Sequence, residues 1–263
     1  MKIKTLCFIL VLLVTGSMGT IHASANDQKV KELDIGDSFD GAEGTMVLQN
    51  LKNDKVFIYN KQRSKVRYTP ESTFKVANAL IGLQTKAVSD EYEVKRWDGV
   101  IREFEDWNRD HTLASAMRHS VIWYYQAMAR DIGTENMQQY VNLLDYGNRD
   151  ISGGIDQFWL DSSIKISARE QVQFIENLVE EKLPIDKQHM RTVKRIMINE
   201  EADSYVLHGK TGTRLSDMGL GWYVGYIETD KGEWAFATNM DGSGSKAKTI
   251  TLEALKELDI IEE

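Results

Sequence analysis

Strand-like runs near both ends of the chain, separated by a long middle without them, most constrain how these 263 residues can fold. Residues 45–59 form two strand-like segments around a turn at Lys52-Asn53-Asp54, which predicts a hairpin. Three further aromatic-rich runs follow near the C-terminus, at residues 205–211, 222–228 and 234–240. The pattern predicts an α+β fold, in which N- and C-terminal strands form one antiparallel sheet flanked by helices.

The middle of the chain, roughly residues 90–200, mixes apolar and charged positions without strand-like alternation, which favours a mainly helical inserted subdomain. Four helices are expected, at residues 71–84, 113–130, 168–181 and 249–258. A cleft between the sheet and the helical subdomain is where a ligand would be expected to bind.

Composition excludes several classes of protein. With 42% hydrophobic residues the chain can form a buried core, and two prolines exclude a proline-rich scaffold. The 40 acidic residues outnumber the 32 basic ones, giving a net charge of -8, which argues against a nucleic-acid binder. A single cysteine excludes an internal disulfide framework and a cysteine-based metal cluster.

The first 25 residues have the features of a cleavable signal peptide. Lys2 and Lys4 precede an apolar run over residues 6–14, and Ala23-Ser24-Ala25 fits a signal-peptidase site. The apolar run is too short to be a comfortable membrane span. Cleavage after Ala25 would leave residues 26–263 as a single domain, secreted or in the cell envelope, without a stable membrane anchor.

Several familiar motifs are incomplete. No two histidines have the spacing of a zinc-binding helix, and no metal site is expected. Gly209-Lys210-Thr211 resembles the end of a phosphate loop, but Ser204 stands where that loop needs glycine. The chain has no G-x-S-x-G nucleophile elbow. Gly242-Ser243-Gly244 is interpreted as a flexible loop.

Ser72-Thr73-Phe74-Lys75 stands at the start of the first predicted helix, with Thr69 as its cap and Pro70 in its first turn. Residues three apart lie on one helix face, so a hydroxyl and an amine could meet in one pocket. A helix start also supplies unpaired N–H groups that favour an oxyanion. Alone this motif is common by chance.

Four further sequence elements downstream make a chance occurrence of the Ser72 motif improbable. They follow in order, and they are Ser120-Val121-Ile122 in a helical region, Tyr146-Gly147-Asn148, Trp159 within Gln157-Phe158-Trp159-Leu160, and Lys210-Thr211-Gly212 after what is expected to be an edge strand. Their order resembles that of the serine penicillin-recognising enzymes. The details resemble the class D (oxacillinase-type) serine β-lactamases, from about residue 40 to the C-terminus.

This resemblance implies a β-lactamase/transpeptidase-like fold and a division of labour in the site. Ser72 would be acylated by a small-molecule β-lactam, and Lys75, carboxylated by CO2 or bicarbonate, would be the general base. The Trp159 indole would donate a hydrogen bond to that carbamate, and Ser120 would pass a proton to the leaving nitrogen. Phe74, Ile122 and Trp159 would supply the apolar lining that keeps the lysine amine neutral.

The resemblance also implies how a substrate would be held. Lys210 and Thr211, with Gly212 completing the motif, would meet the substrate carboxylate. Backbone N–H groups of Ser72 and Thr213 would form the oxyanion hole. No metal or organic cofactor is implied, and a monomer is favoured.

Two departures from the family pattern stand out. Ile122 replaces the usual valine, and Ser245-Lys246-Ala247-Lys248 stands where an arginine usually binds the carboxylate. A lysine lacks the bidentate fork of arginine. Two alternatives stay open: a penicillin-binding sensor domain that stays acylated, and a cell-wall peptidase of the same superfamily.

Overall fold

A computed structural model describes residues 30–262 of the chain. The predicted signal peptide and its cleavage site lie outside the described residues. None of the helices between residues 30 and 262 has the length and apolar character needed to cross a membrane.

The main sheet unites strands from both ends of the chain, as predicted. Within residues 30–262 the sheet has seven strands, and their bounds are Val30–Glu32 (β1), Gly44–Asn50 (β2), Val56–Tyr59 (β3), Ile198–Glu201 (β6), Tyr205–Thr213 (β7), Gly221–Thr229 (β8) and Gly232–Met240 (β9). They lie side by side in the order β1-β3-β2-β9-β8-β7-β6. Val47 of the N-terminal hairpin pairs with Ala237 of β9, which joins the two halves.

Two features of the sheet were not predicted. β1 runs parallel to β3, so the sheet is mixed rather than wholly antiparallel. β6 lies at the opposite edge, within the region that was expected to be helical. Its largely exposed residues lack the apolar alternation that marks a strand, and pairing with β7 stabilises it instead. β7 is therefore not an edge strand, although β6 pairs only with residues 206–208 of it.

Helices cover both faces of the sheet and form the inserted subdomain. Their bounds are Lys75–Gln84 (α1), Leu113–Arg118 (α2), Ile122–Ile132 (α3), Thr134–Leu143 (α4), Ala168–Val179 (α5), Lys187–Ile196 (α6) and Gly244–Glu257 (α7). A two-residue pair, β4 (Val94–Lys95) with β5 (His111–Thr112), lies in the subdomain.

Each face of the sheet has its own core. Trp222 and Val224 of β8 contribute to the core beneath α5, whereas Tyr223 and Ile227 contribute to the core beneath α7. Because successive residues of a strand point to opposite faces, a strand covered on both sides is apolar almost throughout. This explains the continuous aromatic-rich runs of the sequence.

The last helix begins earlier than predicted. α7 starts at Gly244, because the Ser243 hydroxyl accepts a hydrogen bond from Lys246 N at 3.2 Å and caps it. A Cβ on Gly244 would lie 2.5 Å from the Gly212 carbonyl oxygen, so glycine allows α7 to start against β7. Gly242-Ser243-Gly244 is therefore a helix start and not a flexible loop.

The first helix also differs from its prediction. Residues Glu71–Phe74 form a 3-10 turn, and the α-helix begins only at Lys75. Thr69 does not cap it, because its hydroxyl donates to the Glu71 carboxylate instead. α1 is buried on nearly all sides by α3, α4 and α6, as its apolar composition requires.

The expected helix over residues 113–130 is broken in two. α2 ends at Arg118 and α3 begins at Ile122, and Ser120 between them adopts a left-handed conformation with φ 55°. Ser120 thus lies in a tight junction rather than within a helix, which frees its side chain from a helix surface.

Candidate active site

The site is centred on Ser72 and Lys75, at the junction between the 3-10 turn and α1. Lys75 Nζ lies 2.6 Å from Ser72 Oγ, so the predicted meeting of hydroxyl and amine is confirmed. Both residues are buried, and Lys75 is 0% exposed. A nucleophile within hydrogen-bond reach of a base is the arrangement that activates a serine.

The surroundings of Lys75 favour its neutral form. Burial lowers the pKa of Lys75 well below that of a free lysine, and the positive charge of Lys210 lowers it further. The Glu71 carboxylate acts in the opposite direction but more weakly. The Tyr125 ring centroid lies 5.6 Å from Nζ, an aromatic neighbour that the sequence did not reveal. A neutral amine can accept a proton or react with an electrophile.

An aromatic cluster holds Trp159 beside this site. The Trp159 and Phe74 rings stack with centroids 5.5 Å apart, and Phe158 packs edge-on against both. Trp159 is fully buried, yet its indole Nε1 has no hydrogen-bond partner among the described residues. An unsatisfied buried donor costs about 1–3 kcal/mol, so this N–H is a candidate for binding an acceptor during function.

A cavity of about 160 Å³ opens onto the nucleophile. Its lining comprises Ser72, Phe104, Trp107, His119, Ser120, Ile122, Thr211, Thr213 and Leu215. Thr211 and Thr213 reach it together because alternate residues of β7 share a face. The structure therefore brings five of the predicted site residues to one cavity.

Gly212 allows β7 to approach the nucleophile turn closely. A Cβ at this position would lie 3.0 Å from the Pro70 carbonyl oxygen and 3.3 Å from Ser72 N. The absence of a side chain therefore lets the backbone next to Thr213 lie against that of Ser72. This approach is what two converging oxyanion donors require.

Lys210 lies in a neighbouring cavity of about 280 Å³ that also contains Thr211. Burial lowers the Lys210 pKa to about 7, and its ammonium donates to the Thr211 carbonyl oxygen at 2.9 Å. Arg118 and Lys248 line the same cavity, and among residues 30–262 no carboxylate does. Lys246 instead lies 3.7 Å from the Asp40 carboxylate. Lys248 is therefore the lysine of the C-terminal segment that shares a cavity with Lys210.

Several residues of the site were not predicted from the sequence. Four of them line the Ser72 cavity from segments outside the α-helices and strands, where the sequence has no distinctive pattern, and they are Phe104, Trp107, His119 and Leu215. Glu71 is buried directly before Ser72, and its proximity in sequence was the only available signal. Across residues 30–262, no group of three or more metal-ligating side chains could hold a metal ion.

Comparisons with known proteins agree with this geometry. Residues 41–258 match the family model described as the penicillin binding protein transpeptidase domain. The probable beta-lactamase YbxI of Bacillus subtilis is 57% identical over 263 residues, covering 98% of both chains. A solved class D beta-lactamase from Bacillus subtilis is 61% identical, with a TM-score of 0.86, covering 88% of this chain and 98% of that one.

The fold and the Ser72–Lys75 pair define a penicillin-recognising serine enzyme domain of the transpeptidase type. Within that superfamily, the chain belongs to the class D β-lactamases. The expected family, fold class and type of enzyme are thereby confirmed. The methicillin resistance mecR1 protein of Staphylococcus aureus is also similar, 36% identical over 229 residues, which cover 85% of this chain but 39% of that protein.

Proposed function

We propose that this protein hydrolyses β-lactams through an acyl-enzyme formed on Ser72. The observation that carries the proposal is the 2.6 Å contact between Ser72 Oγ and a fully buried Lys75 Nζ. A hydroxyl with an ordinary pKa is a weak nucleophile, and an adjacent base that accepts its proton activates it. The proposal includes a role for each residue of the site.

In the acylation step, Ser72 Oγ attacks the β-lactam carbonyl carbon and transfers its proton to the base on Lys75. Backbone N–H groups of Ser72 and Thr213 would hold the developing oxyanion, consistent with the close approach at Gly212. The carbon–nitrogen bond of the ring then breaks, and Ser120 in the same cavity gives its proton to the nitrogen and receives the Ser72 proton from the base on Lys75. Ile122 bounds this cavity beside Ser120.

In the deacylation step, water attacks the acyl carbon and returns Ser72 to its free form. The base for both steps would be Lys75 carrying a carbamate, formed when its neutral amine adds to CO2 and releases one proton. This group would supply a carboxylate-like proton acceptor at a position where an ammonium could not act. The lowered Lys75 pKa supports it, as does the unpaired Trp159 N–H, which could donate to its oxygens.

Recognition of the substrate carboxylate would use Lys210, Thr211 and Lys248. Lys248 would stand in for the family's arginine, because it shares a cavity with Lys210 and faces no carboxylate there. As a point charge it would hold the carboxylate with less directional control than an arginine. The protein would act as a secreted or cell-envelope enzyme after removal of residues 1–25, as a single domain and a monomer.

The test is to mix purified protein with a chromogenic cephalosporin in the presence of bicarbonate, and separately to locate the penicillin adduct by mass spectrometry. We expect many turnovers per enzyme, and an adduct on the peptide that contains Ser72 and not on that of Ser120. Ser72→Ala should abolish both. A single burst without turnover would favour the sensor-type alternative.

A further inference from the structure

Glu71, directly before the nucleophile, is an unusual residue in its position. The residue is only 2% exposed, and its backbone is left-handed, with φ 51°. This conformation is uncommon for residues other than glycine, and it costs on the order of 1–3 kcal/mol. Strain of this kind persists only where surrounding contacts enforce it.

Those contacts connect the nucleophile turn with the segment that carries Trp159. The Glu71 backbone N donates to the Trp159 carbonyl oxygen at 3.0 Å. Its Oε1 accepts from the Asp161 backbone N at 3.0 Å and from the Thr69 hydroxyl at 2.6 Å. One residue thus binds the backbone of residues 159 and 161, on either side of Leu160, and so ties the Trp159 segment to the turn.

We propose that Glu71 is a positioning residue for the Lys75 base, which holds the Trp159 segment against the Ser72 turn and sets the charge balance around Lys75. The inference rests on the proposed function, because only there does the Trp159 N–H donate a hydrogen bond to the Lys75 carbamate. Glu71 makes no hydrogen bond or ion pair with Lys75 and is not among the residues that line the Ser72 cavity, so it acts through the Trp159 segment and through its charge.

The charge balance involves few groups. Lys75 is influenced by Lys210, which disfavours its ammonium, and by Glu71, which favours it. Glu71 is influenced by Asp161 and Arg214, which act in opposite directions on its pKa. Burial has the largest effect and raises the Glu71 pKa above that of a free glutamate, although the hydrogen bonds from Thr69 and Asp161 act in the opposite direction.

When it is ionised, Glu71 opposes both a neutral Lys75 amine and a negative group attached to that amine. The same carboxylate is needed as a hydrogen-bond acceptor. The hydrogen bonds of Glu71 support the base on Lys75, whereas its negative charge opposes that base. Substitutions at Glu71 can therefore separate the two effects. Glu71→Gln keeps an oxygen for both donors and removes the charge, whereas Glu71→Ala removes both.

The experiment measures acylation, deacylation and their dependence on pH and bicarbonate in the full mature protein. For Glu71→Gln we expect the acidic limb of the deacylation rate to move to lower pH by at least about half a unit, the scale of one nearby charge. For Glu71→Ala we expect deacylation to slow about 10- to 100-fold, because two buried donors lose their acceptor. Its bicarbonate requirement should rise, with acylation still measurable.

Glu91 provides a matched control. It is also buried, at 7% exposed, but it pairs with Arg195 in the helical subdomain. Glu91→Gln and Glu91→Ala should lower the melting temperature without moving the pH limb or the bicarbonate requirement. If Glu71→Ala does not fold, the pH shift of Glu71→Gln decides the proposal by itself.

The proposal is overturned if Glu71→Gln has the wild-type pH profile, or if a folded Glu71→Ala deacylates with wild-type rate and bicarbonate requirement. The proposed function fails in a different way, on the wild-type protein alone. In that case wild type would show no turnover, or turnover indifferent to bicarbonate. The two failures are therefore distinguishable in one set of measurements.

Discussion

Replacement of Trp159 by phenylalanine isolates the one hydrogen bond that the proposed mechanism requires of this residue. The substitution keeps an aromatic ring to stack on Phe74, whose centroid lies 5.5 Å away, but it removes the indole N–H. In the structure this N–H is buried and has no partner among residues 30–262. Its loss therefore breaks no existing hydrogen bond of the described protein.

The size of the expected effect follows from the negative charge of the carbamate that would accept this hydrogen bond. A hydrogen bond to a charged group is worth about 1.5–3 kcal/mol, and each 1.4 kcal/mol is a factor of ten, so the half-saturating bicarbonate concentration should rise about 10- to 150-fold. The smaller ring also leaves a void in the core, which should cost about 1–3 kcal/mol of folding free energy. Acylation should stay measurable in excess bicarbonate, and deacylation should recover as bicarbonate is added.

The assay is steady-state turnover across a bicarbonate titration in degassed buffer, with a pre-steady-state burst to report acylation. Trp234→Phe is the matched control, because its Nε1 is likewise buried and unpaired but packs against Phe57, far along the sheet. It should change stability and leave the bicarbonate response alone. An unchanged bicarbonate requirement in Trp159→Phe would refute the role given to the indole, whatever happened to its stability.

Two further predictions concern recognition of the substrate carboxylate. Because burial lowers the Lys210 pKa to about 7, kcat/KM should fall as pH rises through about 7. This basic limb of the pH profile should move above pH 9 in an active Lys210→Arg, because a guanidinium stays charged there. A limb that stays near pH 7 in that variant would exclude Lys210 as its source. Lys248→Ala should raise KM about tenfold or more with little change in kcat, the scale for losing one partner of a charge pair, whereas Lys246→Ala should not. Equal effects in the two lysine variants, measured by initial rates on a penicillin, would contradict the assignment to Lys248.

The order of motifs along the chain was enough to predict the family and the centre of the site. Ser72 and Lys75 are three residues apart, so any helical or 3-10 turn brings their side chains together. The strands at both ends were also predictable, because their near-continuous apolar runs have few uses other than a sheet covered on both faces. The Ser72–Lys75 pair and the strands depend on the spacing of residues close together in the chain, and the sequence gives that spacing directly.

Other features were decided by contacts between segments far apart in the chain. β6 has a polar, exposed sequence, and only pairing with β7 makes it a strand. Ser120 reaches the cavity because packing breaks one predicted helix into two. A propensity is worth only tenths of a kcal/mol per residue, so tertiary contacts of this kind override it.

The electrostatics of the site likewise required the tertiary structure. Lysine in a sequence carries an ordinary pKa, and it is burial that lowers the pKa of Lys75 and of Lys210. Glu71 is one glutamate among many until the fold encloses it and points Asp161 N and Thr69 Oγ1 at its carboxylate. The sequence determined which groups are present and in what order, because those are covalent facts. Their charge, their partners and the orphaned Trp159 N–H were decided by the fold, because each depends on the removal of water from around a particular atom.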